Sequence, residues 1–234
     1  MKKLGIIGAM SIEVENLKKG MTDLKITTKA GMEFYEGKLE NLPAVVVQCG
    51  VGKVNAALCV QVLCDLFEVT HVVNTGVAGS LCNDLDIGDF VISDDAMYHD
   101  FNCAPINPDY AVGQVPGLPV RTFKADDLLI KMAFEAAQTV SKAKIGRVAS
   151  GDQFVCSREQ KEYIIHHTGA LCTEMEGAAI AHTAWRNGIP FVVIRAISDK
   201  ADDSADMDYP TFEAIAAKRC ADVTKAMAKA LAEK

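Results

Sequence analysis

What the 234-residue chain lacks narrows its chemistry first. No run of 18 apolar residues occurs, so nothing in the sequence is expected to span a membrane. Positive charge is in deficit: 24 Lys and Arg stand against 31 Asp and Glu, a formal net charge of −7. That balance argues against a nucleic-acid partner, whose binding surface would carry a basic patch or stripe. The eight cysteines form no C-x-x-C pair, and several lie inside apolar runs, where a free thiol behaves as a small hydrophobe. No disulfide framework and no metal site are therefore expected, and a reducing compartment fits best. Lys2 and Lys3 before the apolar stretch Leu4–Ala9 resemble the start of a signal peptide, but Glu13 and Glu15 follow at once without a small-x-small cleavage site. A buried first strand in a cytoplasmic protein explains the same residues more simply.

Nucleotide-cofactor signatures are incomplete as well. Gly50-Val51-Gly52-Lys53-Val54-Asn55 follows a strand pattern and opens a helix pattern, yet it lacks the third glycine of a dinucleotide fingerprint. The Walker pattern is absent. Gly5-Ile6-Ile7-Gly8-Ala9-Met10 runs into Glu13, a carboxylate that would repel a pyrophosphate. A hydride-transfer enzyme is disfavoured, and no organic cofactor is expected.

Half of the residues are hydrophobic, enough for a sizeable core and too many for a disordered chain. The length suits one α/β domain over residues 1–234, with no internal repeat. Strand patterns fall at Lys3–Ala9, Glu33–Leu39, Ala44–Cys49, His71–Thr75, Asp89–Tyr98, Ile145–Ser150, Ala170–Thr173 and Phe191–Ser198. Several are continuous Val/Ile runs, as in a sheet covered on both faces. The pair joined by Glu40–Pro43 reads as an antiparallel hairpin, so the sheet is expected to be mixed and twisted, with flanking helices. Helical spacing marks Ile12–Lys19, Val54–Phe67, Asp126–Val140, Glu159–His167 and Gly177–Asn187. A last helix is expected to start near Asp208 and Pro210, with Phe212, Ile215, Ala216, Cys220, Val223, Met227 and Leu231 as its core stripe. Phe101–Thr122, rich in proline and glycine, reads as a long loop of the kind that often serves as a lid or contact loop.

Carboxylates at strand ends are the most informative polar residues. In open α/β sheets, ligands bind beyond the carboxyl ends of the strands. Asp199 ends the apolar run from Phe191, and Glu174-Met175-Glu176 follows Ala170–Thr173. Glu13 lies just past the first strand. Arg195, inside an otherwise apolar strand, needs a partner, because an unpaired buried charge costs several kcal/mol. Three acidic sites from separate strand ends can converge on one pocket.

Five segments occur in order: Gly8-Ala9-Met10-x-x-Glu13-Val14, Asn74-Thr75-Gly76-x-Ala78-Gly79, Ser150-Gly151-Asp152-x-Phe154, Glu174-Met175-Glu176-x-Ala178 and Arg195-Ala196-Ile197-Ser198-Asp199. Together they resemble the bacterial 5′-methylthioadenosine/S-adenosylhomocysteine nucleosidases. The resemblance implies a nucleoside phosphorylase-like α/β/α fold and hydrolysis of an adenine nucleoside at its N-glycosidic bond, without metal or cofactor, by a homodimer. It implies that Asp199 is the acid at adenine, held by Ser198, and that Glu13 activates water. By the same resemblance, Glu176 grips the ribose hydroxyls, Met175 packs on the sugar and Arg195 steadies the acidic cluster. Phe154 stacks on the base, the Val155 backbone reads its edge, and Tyr209 stands near the ribose. Met10, Val51, Val77, Ala78 and Gly79 complete the implied pocket. Val77 stands where some relatives have Ser, and Ile106 or Pro108 is the implied contribution to the partner's 5′ pocket. Two alternatives stand beside this reading: a nucleoside phosphorylase of the same superfamily, and a non-catalytic nucleoside sensor. The absence of an Arg in the first-strand loop favours hydrolysis over phosphate attack.

Overall fold

A computed structural model of the chain describes residues 2–234, and their side chains except at 206 and 207. Ten strands run as β1 (Leu4–Gly8), β2 (Met21–Lys29), β3 (Met32–Leu39), β4 (Leu42–Gln48), β5 (His71–Ser80), β6 (Phe90–Tyr98), β7 (Phe123–Lys124), β8 (Ala143–Ser150), β9 (Cys172–Glu174) and β10 (Phe191–Asp199). Between and after them lie α1 (Ser11–Lys19), α2 (Lys53–Phe67), α3 (Asp127–Gln138), α4 (Arg158–Thr168), α5 (Gly177–Arg186) and α6 (Ala205–Ala232).

All ten strands belong to one mixed sheet, in the order β10-β6-β8-β9-β5-β1-β4-β3-β2 with β7 on β6. β10 also pairs with β5, so β10, β6, β8, β9 and β5 close on themselves. Within that ring β5 and β10 run one way, as does β1 beside β5, while β6, β8 and β9 run the other. Closure therefore brings the end of β9, although it runs antiparallel to β5, beside the ends of β5 and β10. Two helical layers cover the sheet. α1, α3 and α6 pack together on one face, while α2 and α5 pack against each other on the other. The apolar strands carry the core: every residue of β1, β10 and all of β5 after His71 is buried. No helix among the described residues is long and apolar enough to cross a membrane.

The expected hairpin is present, with Leu39 opposite Leu42 and both Glu40 and Asn41 at positive φ, the backbone of a two-residue type I′ turn. Four expectations need correction. β2 has no counterpart in the sequence reading, because only Met21 of its nine residues is buried and it pairs with β3 as an edge. The two-residue β7 is too short to leave an alternation pattern in the sequence. β5 runs to Ser80, five residues beyond the expected end, since Gly76 and Gly79 do not break it. α6 begins at Ala205, and Pro210 sits inside the helix. Its stripe is buried at Ala216, Cys220, Val223, Met227 and Leu231, but Ile215 is 53% exposed and lies off the core face.

Candidate active site

A cavity of about 210 Å³ opens where β1, β5, β9 and β10 end. Every residue implied for the chain's own pocket lines it: Glu13 and Met10 from the start of α1, Val51 before α2, and Val77, Ala78 and Gly79 of β5. The remainder are Phe154 and Val155 after β8, Met175 and Glu176 after β9, Arg195, Ser198 and Asp199 of β10, and Tyr209 of α6. Ala9, Gln153, Thr173 and Glu174, to which the sequence assigns no role of their own, also line it. Glu174 carried a usable signal, as the first carboxylate of the Glu174-Met175-Glu176 element at a strand end; Ala9, Gln153 and Thr173 carried none. Ile106, 82% exposed, and Pro108 stand outside this lining.

One end of the cavity is an ionic cluster buried almost completely. Glu13 lies in the first turn of α1, where its Oε2 accepts the backbone N–H groups of Ala9 at 2.7 Å and Met10 at 3.0 Å. Its Oε1 accepts the Val77 N–H at 3.1 Å. Burial pushes the Glu13 carboxyl upward, against the pull of Arg195 and these three amides. Arg195 bonds directly to Glu174 and Asn74 through Nη2. It stands 3.7 Å from a Glu176 oxygen and 4.0 Å from a Glu13 oxygen. Burial opposes the guanidinium charge, but Glu174, Glu176 and Glu13 together outweigh it. Glu176 accepts the Gly52 N–H at 2.8 Å. Burial first, then Glu174 and Glu13, push Glu176 up to about 7.

Two glycines make this packing feasible. A Cβ on Gly76 would collide with both the Arg195 guanidinium and the Glu13 carboxylate. Gly52 caps α2 with φ of 97°, a conformation L side chains rarely adopt, and so aims its N–H at Glu176. The Gly50–Asn55 turn thus serves a carboxylate rather than a phosphate.

The other end centres on Asp199. Its Oδ2 accepts the Ser198 hydroxyl at 2.8 Å and its Oδ1 accepts the Ala201 N–H at 2.8 Å. Burial raises its pKa above 3.8, and those two hydrogen bonds only partly offset the rise. The Phe154 ring meets Tyr209 edge-on, with centroids 5.6 Å apart and planes at 78°. The Tyr209 hydroxyl bonds to Glu213 at 3.0 Å and approaches the Met10 sulfur at 3.3 Å. The half-exposed Phe154 face is an open stacking platform for a planar ring. Among the described residues, no group of three or more His, Cys, Asp or Glu is arranged to hold a metal. All eight cysteines are free.

A cavity with buried carboxylates at both ends and an aromatic wall, at the ends of a partly closed mixed sheet, defines a class. The model of the phosphorylase superfamily matches residues 3–229. Relatives narrow that class. The 5′-methylthioadenosine/S-adenosylhomocysteine nucleosidase of Geobacillus thermodenitrificans is 40% identical over 228 residues, 96% of this chain and 95% of that protein. The enzyme of the same description from Neisseria meningitidis, solved with methylthio-immucillin-A, superposes with a TM-score of 0.93. It is 38% identical, and the match covers 98% of this chain and 100% of that one. The futalosine hydrolase of Helicobacter pylori is 34% identical with a TM-score of 0.91, over 97% of each chain. The chain belongs to the 5′-methylthioadenosine/S-adenosylhomocysteine nucleosidase family of the phosphorylase superfamily.

Proposed function

We propose that the protein hydrolyses 5′-methylthioadenosine, S-adenosylhomocysteine and related 5′-substituted adenosines to adenine and the corresponding 5′-substituted ribose. The observation that carries this reading is the charge of the Arg195 end. Arg195 is the one cation among the described residues lining the cavity, and Glu174 already occupies it. A phosphate nucleophile would meet carboxylates there, whereas water would meet a base.

Cleavage passes through an oxocarbenium-like transition state, as in other glycoside hydrolysis. Asp199, whose pKa burial raises, gives its proton to nitrogen 7 of adenine as the C1′–N9 bond breaks and the bonding electrons leave with the base. Glu13 takes a proton from the water that attacks C1′, so the proton gained from water balances the one given to adenine. Glu176 holds the ribose hydroxyls, Met175 packs on the sugar, and negative charge nearby favours the cationic transition state. Phe154 stacks on the base and the Val155 backbone reads its edge. The family resemblance supports these roles, as does the position of each residue on the cavity wall.

The catalytic unit is read as one domain over residues 1–234, supported by the single sheet and by a family match to nearly the whole chain. A homodimer is supported by apolar side chains left in water on α2 and the long loop: Val54, Leu58 and Ile106. No metal or cofactor enters the mechanism. A cytoplasmic location is supported by eight free thiols.

The decisive assay is adenine release from 5′-methylthioadenosine with and without phosphate. Equal release, with free 5-methylthioribose as co-product, is expected. Release that requires phosphate and yields the sugar 1-phosphate would make the protein a phosphorylase; no release from any adenine nucleoside would make it a sensor. The Glu13→Gln variant should lose turnover by about 10²–10⁴-fold.

A further inference from the structure

We propose that Glu174 is a positioning residue: by neutralising Arg195 it leaves Glu13 and Glu176 one negative charge between them, with the proton on Glu176. The proposal rests on the reading of Glu13 as the carboxylate that activates water, a role that needs its charged form although burial raises its pKa.

The hydrogen-bond donors that reach each carboxylate divide the protons among them. Glu174, after β9, accepts the Glu176 N–H at 3.1 Å and the Gly177 N–H at 2.8 and 3.0 Å. These amides open α5, where the helix dipole favours an anion. The Ser150 hydroxyl also donates to Glu174, and its direction is fixed because its oxygen accepts the Ala178 N–H at 2.7 Å. Arg195 completes the set. Glu174 therefore has more donors than either of the other two carboxylates. Glu13 receives three backbone N–H groups, which also favour its charged form. Glu176 receives one, from Gly52. All three carboxylates are buried around a single guanidinium, and two uncompensated charges in such a site repel strongly. The proton falls to the carboxylate with the fewest donors.

Among the described residues, no other group facing the cluster alters the count. Cys49 beyond β4, Cys172 on β9, and Cys220 and Tyr209 on α6 face the cluster, and burial holds each protonated. Burial likewise lowers the pKa of His99, beyond β6, and keeps it neutral. Asp199, at the far end of the cavity, is raised by its own burial. The upward shift of Glu176 to about 7 agrees with the donor count.

The test follows the infrared band of protonated carboxyl groups against pH in substrate-free protein. Wild type should show a band titrating around neutral pH that Glu176→Gln removes. Glu174→Gln frees Arg195 for Glu176, so the band should titrate at least tenfold in proton affinity lower, and the pH limbs of kcat/KM should move with it. A band that titrates as in wild type, with only kcat reduced, would overturn the proposal. Should Glu174→Gln fail to fold by circular dichroism, Glu13→Gln carries the test. Removing that charge should shift the Glu176 band to lower pH, and an unmoved band would refute the shared charge. The band is read without turnover. Robust hydrolysis by Glu13→Gln would therefore sink the catalytic reading alone, and the band answers for the charge assignment.

Discussion

The two ends of the cavity keep their carboxylates in different company. At the Arg195 end, Glu13, Glu174 and Glu176 compete for one guanidinium and six backbone N–H groups of Ala9, Met10, Val77, Gly52, Glu176 and Gly177. At the Ser198 end, Asp199 has one hydroxyl and one amide, and the charges that act on it most are those of Asp208 and Asp202, both repulsive. Glu13, Glu176 and Asp199 all shift upward, and burial is the leading cause for each. The controls differ. At the Arg195 end, donor count and charge pairing divide the protons among neighbours. At the Ser198 end, desolvation first, helped by the repulsion of Asp208 and Asp202, favours the protonated acid. One end suits a base and a hydroxyl grip, the other a proton donor, and neither role could be exchanged without moving the guanidinium.

The sharpest way to break this contrast is Asp199→Asn. It removes the proton donor, so kcat should fall by about 10²–10⁴-fold while nucleoside binding persists, measured by turnover and calorimetry. The same variant should melt at higher temperature than wild type, by a margin that grows with pH. The sign follows from linkage: the unfolded chain releases this proton near 3.8, whereas the folded protein keeps it to higher pH. Wild type therefore loses stability as pH rises through that window, and the Asn variant, with nothing to ionise, does not. Thermal melts at about pH 4 and about pH 8 test this, and an equal margin at both would refute the buried-acid assignment.

Gly76→Ala should come next. The added methyl would force Arg195 and Glu13 apart, with an overpacking cost of about 1–3 kcal/mol and a fall in kcat/KM of at least about tenfold. Asp199 should be untouched, so an unaltered Glu13 environment in this variant would mean that the close approach at β5 is not needed.

Ser198→Ala should have the smallest effect. Losing the hydroxyl donor removes about 0.5–1.5 kcal/mol of hydrogen bonding, moves the Asp199 pKa further upward and lowers kcat by less than about tenfold. A pH–rate profile whose Asp199 limb shifts downward would show that Ser198 has the opposite influence.

Much of the site was legible before the fold. Glu13, Arg195, Asp199 and the Glu174–Glu176 element stand at strand ends or within apolar strands, where a charged residue has few explanations. β2 was not legible, because Leu24 and Ile26 face solvent and its only strong constraint is pairing with β3. Nor was the extension of β5 through Gly76 and Gly79. Their glycines look like strand breakers locally, yet they are needed because Arg195, Glu13 and Asp199 pack against that backbone.

Local sequence thus determined the alternation of strands and helices, the α/β class, the buried Val/Ile strands and the residue types brought to the cavity. These follow from hydrophobic spacing and from the cost of burying charge, both of which are written in the chain. Tertiary structure decided the closure of β10 onto β5, the delivery of the β9 end to the same point and the partners of each carboxylate. The closure and some of those partnerships depend on pairings between residues more than a hundred positions apart, as in Arg195 with Asn74 or Gly52 with Glu176, and no local pattern encodes such distances. Which glutamate keeps a proton is settled last, by counting the donors that the completed fold leaves within reach of each oxygen.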